Sequence, residues 1–164
     1  MLNAYFSEVN RAILEQGGII NKYIGDAVMV IFGAPEPLPD HARRALKAAL
    51  AMQRIAQDFR AWMQQHFPDR DLPEFRIGIG LHTGNAVIGN VGSAQRMEYT
   101  AIGDTVNTAS RLESASKDLG WTIVASTATI TAAGPDILTS GHETIHVKGR
   151  EQAVEVFEVI GVKV

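Results

Sequence analysis

The chain has 164 residues, 46% of them hydrophobic and 20% charged, which suits one soluble globular domain with a sizeable core, read here as 1–164. Its net charge of -3, with Lys and Arg scattered among Asp and Glu, offers no basic stripe for a phosphodiester backbone, so no nucleic-acid partner is expected. The absence of cysteine excludes disulfides and thiolate metal sites. No apolar run nears the roughly 18 residues of a membrane span, so no membrane contact is expected within this chain and the cytoplasm is its expected location.

Leu2, Phe6, Val9 and Ile13 recur at helical spacing ahead of Gly17-Gly18, which predicts an amphipathic helix over 2–16. Two short apolar runs, 19–23 and 28–32, flank Ile24-Gly25-Asp26-Ala27, the pattern of a hairpin with Asp26 at its turn. After a Pro-rich loop, Asp40 is placed to cap a long helix whose Ala45, Ala49, Met52, Ala56, Phe59 and Met63 form a core or dimer-facing stripe. Phe75, Ile77, Ile79 and Leu81 alternate with Arg76, Gly78, Gly80 and His82. That predicts a strand over 75–81 with one bulky face and one nearly bare face, against which something packs closely. Gly84-Asn85 turns the chain into a strand over 86–91, a short extended stretch follows at 99–102, and Gly103-Asp104 opens a helix over 104–117. A strand over 121–125, a short helix after Ser126 and strands over 143–147 and 154–160 complete an α+β pattern, a sheet with helices on one face.

The signatures of a phosphate loop, a nucleophile elbow and a His-Glu-x-x-His metal helix are all missing. Gly78, Gly80 and Gly84 miss the dinucleotide spacing and lie along a strand. His142 and His146 share a strand face without a third ligand, and His82 reads as a satisfied sheet-edge residue ahead of a general base. More chemistry sits in Lys22-Tyr23-Ile24-Gly25-Asp26 and in the run from Tyr99 to Asn107 that continues to Arg111. Asp26, after Gly25, reads on its own as a turn-stabilising Asp. Asn107 and Arg111, four apart, share a helix face; they address one ligand together or form surface pairs with Glu113 or Asp104.

In order and spacing, Lys22 to Asp26, Phe32-Gly33-Ala34-Pro35, Asp40-His41-Ala42, Gly78-Ile79-Gly80-Leu81-His82-Thr83-Gly84, Thr100 to Arg111 and Val147-Lys148-Gly149 resemble the class III adenylyl and guanylyl cyclase family. The resemblance implies a ferredoxin-like class III nucleotide cyclase fold, a mixed, mainly antiparallel sheet with helices packed on it. It further implies conversion of ATP to 3′,5′-cyclic AMP and pyrophosphate, assisted by two Mg²⁺ or Mn²⁺ ions, at sites shared across a head-to-tail homodimer. Asp26 is then one of two metal-binding carboxylates, and Lys22 with Thr100 forms the substrate-binding pair that chooses the base. Guanylyl cyclases typically carry Glu and Cys at those positions. Asn107 orients the ribose, Arg111 stabilises charge on the α-phosphate, and Lys148 holds the terminal phosphates, although an exposed hairpin lysine needs no such role.

The family's opening strand, with its Phe-Ala/Ser-Asp-Ile/Val motif and the other metal-binding Asp, precedes the point where this sequence starts. The resemblance thus implies a fragment, inactive alone, whose parent protein is membrane-anchored or not. It also admits a catalytically inactive cyclase homology domain that dimerises or senses nucleotide.

Overall fold

In a computed structural model, residues 2–146 and 152–164 are described. Helix α1 (Leu2–Glu15) leads into a hairpin of β1 (Ile19–Ile24) and β2 (Ala27–Ile31), then helix α2 (His41–His66). Strand β3 (Ile79–Leu81), a ribbon of β4 (Val87–Ser93) and β5 (Arg96–Ile102), and helix α3 (Asp104–Leu119) follow. The chain closes with β6 (Ile123–Ser126), the short helix α4 (Thr127–Ala133), β7 (Ile137–Ile145) and β8 (Val154–Val162).

A four-stranded sheet ordered β3-β6-β8-β7 forms the centre, parallel between β3 and β6 and antiparallel elsewhere. The hairpin and the ribbon are separate two-stranded units. Helices cover both faces of the central sheet rather than the expected one, because β6 is buried on both sides. Its Ile123 and Ala125 join Ala42, Leu46 and Ala49 of α2 and Ala133 of α4. Its Val124 joins Leu112 of α3 with Val154 and Val156 of β8. Side chains alternate across a strand, so the apolar run Ile123-Val124-Ala125 buries both faces. A third cluster sets Tyr5, Val9 and Ile13 of α1 against Ala56 and Phe59 of α2 and Val28 and Val30 of β2.

The bare face of the glycine strand lies under α3. A Cβ built on Gly78 falls 2.0 Å from the Ser116 hydroxyl, and one built on Gly80 falls 2.2 Å from the Glu113 amide nitrogen. The helix backbone therefore sits directly on β3, which fixes where α3 presents its exposed side chains.

Several expectations are corrected. Only 79–81 of the expected 75–81 strand is hydrogen-bonded in a ladder, since β6 begins opposite Ile79 at Ile123. Phe75 and Ile77 instead pack on the Tyr5 cluster. The extended stretch expected at 99–102 starts at Arg96, where Ser93 pairs with Arg96 across a tight turn. Strand β7 begins at Ile137, not at 143, and its register against β8 shifts on both sides of Thr139. Asp40 makes no capping hydrogen bond. Arg44 donates to its carboxylate at 2.8 Å and, chiefly through that bond, holds its pKa below the usual range.

Candidate active site

Strand β1 carries a β-bulge. Ile20 faces Val30 and Lys22 faces Met29, which leaves Asn21 without a cross-strand partner. A bulge bends the strand and re-aims its side chains, so neighbours that would otherwise point to opposite faces can reach the same element. Here both reach β5. Asn21 donates from Nδ2 to the Tyr99 carbonyl at 2.8 Å and accepts at Oδ1 from the Thr100 hydroxyl at 2.9 Å. The Lys22 ammonium lies 3.1 Å from a carboxylate oxygen of Glu98. Thus Lys22 and Thr100, 78 positions apart, are joined through Asn21 and Glu98 at one seam between hairpin and ribbon. Thr100 is buried, at 5% exposure, whereas Lys22 is half-buried.

Neither Asn21 nor Glu98 was singled out by sequence reasoning. The available signal for Asn21 was an amide inside an apolar strand run, where Asn is normally depleted. Nothing local marked Glu98, whose meaning comes from the strand opposite.

Asp26 sits at the turn between β1 and β2, preceded by Gly25 at φ +62, a conformation that favours glycine. The aspartate is exposed, and no hydrogen bond or ion pair within the described residues engages it. A free carboxylate on a tight, constrained turn suits one oxygen ligand of a hard divalent cation, which commonly takes one or two carboxylates and fills its remaining positions from phosphates and water. Among the described residues, no group of three His, Cys, Asp or Glu side chains makes a self-contained metal site.

On α3, Asn107 is exposed and Arg111 half-buried. Neither of the expected surface pairs forms: within the described residues no hydrogen bond or ion pair holds the Arg111 guanidinium. Arg111 borders a cleft of about 350 Å³ with Ser114, Asp118, Leu119, Ile145 and His146. A larger hollow of about 550 Å³ near Arg60, Phe67 and Phe75 contains none of the candidate residues. Lys148 lies outside the described residues.

His82 and His142 have structural partners. His82 Nδ1 is 2.8 Å from the Ser126 hydroxyl, within a chain of contacts through Thr129 to Thr83 that ties β3 to the start of α4. His142 stacks on Phe157 at 4.6 Å between ring centres.

The candidates fall into two groups by element: Lys22, Thr100 and Asp26 on the hairpin and ribbon, Asn107 and Arg111 on α3, which packs on β5. Among the described residues no hydrogen bond or ion pair joins the groups. Large apolar side chains on the ribbon and hairpin are exposed, including Val87 at 66%, Met97 at 57%, Tyr99 at 48% and Ile24 at 59%.

The architecture is that of solved nucleotide cyclase domains. The chain superposes on the guanylyl cyclase Cya2 with TM-score 0.84 and 33% identity, covering 98% of this chain and 79% of that one. It superposes on the adenylyl cyclase CyaB from P. aeruginosa with TM-score 0.79 and 32% identity, covering 99% and 81%. The chain belongs to the adenylate and guanylate cyclase catalytic domain family, whose model matches residues 1–161. A curated relative, Adenylate cyclase 1 of Rhizobium meliloti, is 38% identical over 162 residues, 99% of this chain. The chain spans 24% of that relative's length. No helix among the described residues is long and apolar enough to cross a membrane.

Proposed function

We propose that this domain converts ATP to 3′,5′-cyclic AMP and pyrophosphate as one half of a head-to-tail homodimer. What supports adenine over guanine is the placement of Lys22 and Thr100 at one seam between hairpin and ribbon, Thr100 bonded to Asn21 and Lys22 ion-paired with Glu98. A lysine ammonium only donates, which matches the adenine N1 acceptor and clashes with the guanine N1–H. A buried donor left facing another donor costs about 1–3 kcal/mol, enough for tenfold discrimination or more.

Asn107 and Arg111 then address the ribose and the α-phosphate. Arg111 has no competing carboxylate partner among the described residues, so its charge is available where negative charge grows on the phosphate as the 3′-oxygen attacks. Lys148 is assigned to the terminal phosphates. Asp26 would hold Mg²⁺ or Mn²⁺, which when bound acidifies the attacking hydroxyl and neutralises the departing pyrophosphate.

The exposed apolar face of the ribbon and hairpin, with no hydrogen bond or ion pair between the two groups among the described residues, supports an arrangement in which a partner's α3 completes each site. Some similar structures carry guanylyl cyclase names, so base choice is the point to test. In the full-length protein that carries this domain, Lys22→Glu with Thr100→Cys should shift the preference from ATP toward GTP by about tenfold or more in kcat/KM. An unchanged preference would contradict the assignment. ATP binding with no product from the unmutated protein would favour the inactive homology-domain reading instead.

A further inference from the structure

The hydrogen bonds around Asn21 fix the direction of a proton. The Tyr99 carbonyl can only accept, so the amide nitrogen of Asn21 must face it, at 2.8 Å. That turns the amide oxygen toward Thr100. An amide oxygen also only accepts, so the Thr100 hydroxyl must donate to it, at 2.9 Å. The other acceptor near this hydroxyl, the Ala101 carbonyl, is at 3.5 Å and competes weakly. A hydroxyl carries one proton. With that proton committed to Asn21, Thr100 presents only lone pairs to anything else that meets it.

This has a chemical consequence at a purine edge. Adenine places an amino donor, N6, where guanine places the acceptor O6. A freely rotating threonine hydroxyl serves either one, because it donates or accepts as needed. A hydroxyl held as an acceptor serves only the amino group. We infer that Asn21 is a positioning residue for base choice: by fixing the Thr100 hydroxyl as an acceptor, it makes a side chain that is ambivalent by nature selective for adenine. The bulge is what puts Asn21 there, since its side chain leaves the β1–β2 ladder to reach β5. The inference rests on the reading of Lys22 and Thr100 as the base-recognition pair.

The test is the ratio of kcat/KM for MnATP to that for MnGTP in the full-length protein. If turnover is too slow to measure, the ratio of dissociation constants for 3′-deoxy-ATP and 3′-deoxy-GTP replaces it. Asn21→Ala should lower the ATP:GTP ratio about tenfold, because the released hydroxyl can donate to guanine O6. In a Thr100→Val background, where there is no hydroxyl to orient, the same change should move the ratio by less than about twofold. Asn21→Leu, which preserves side-chain volume without an acceptor, is read in the same way if the alanine variant does not fold. An unchanged ratio, or an equal shift in both backgrounds, overturns the role of Asn21 while an ATP preference in the unmutated protein leaves the functional reading standing. An unmutated protein with no ATP preference removes both.

Discussion

Gly80 and Glu113 are in backbone contact: a single added methyl group on Gly80 would lie 2.2 Å from the Glu113 amide nitrogen and 2.4 Å from the Ala109 carbonyl oxygen. Strand β3 thereby serves as the seat of α3, and the seat determines where Asn107 and Arg111 stand. Gly80→Ala should therefore destabilise the domain by about 2–3 kcal/mol, since the clash is with backbone that cannot rotate away. Urea unfolding measures the loss. Nucleotide turnover should fall with it even though Gly80 touches no substrate, because α3 must lift to make room.

A composite site makes a specific prediction about mixtures. Asp26→Asn and Arg111→Ala should each reduce turnover by about a hundredfold or more while leaving the unfolding midpoint unchanged, because neither side chain has a hydrogen-bond or ion-pair partner among the described residues. Mixed in equal amounts and allowed to exchange subunits, the two inactive variants should regain about a quarter of normal activity. Half of the dimers are then mixed, and each mixed dimer keeps one intact site of its two. No recovery on mixing would mean that Asp26 and Arg111 act from the same chain.

Thr108 lies next to Asn107 on α3 but faces the core, fully buried, and its hydroxyl has no hydrogen-bond partner among the described residues. A buried hydroxyl that has lost water without gaining a partner costs about 1–3 kcal/mol, and valine fills nearly the same volume. Thr108→Val should raise stability by about 1 kcal/mol in urea unfolding, with turnover unchanged.

Much of this arrangement was legible before any coordinates. The alternation through Phe75 to Leu81 with glycines on the other face announced a close neighbour, and α3 is that neighbour. Gly25-Asp26 between two apolar runs announced the hairpin turn, and the four-residue spacing of Asn107 and Arg111 gave their shared helix. What stayed hidden depends on pairing between distant segments. The Asn21 bulge exists only relative to β2, and its partners Tyr99 and Thr100 lie on a strand more than 70 residues later. The strand at 75–78 dissolved for the same reason, since alternation describes a face but a ladder needs a neighbour. Asp40 had the residue type of a cap, yet Arg44 one turn on took its carboxylate.

Adenine is the base that Lys22 and Thr100 are proposed to read. The most direct measurement gives the full-length protein that carries this domain equal concentrations of MnATP and MnGTP and separates the products by chromatography. Cyclic AMP should exceed cyclic GMP by about tenfold or more. Cyclic GMP in excess, or neither cyclic product, would contradict it.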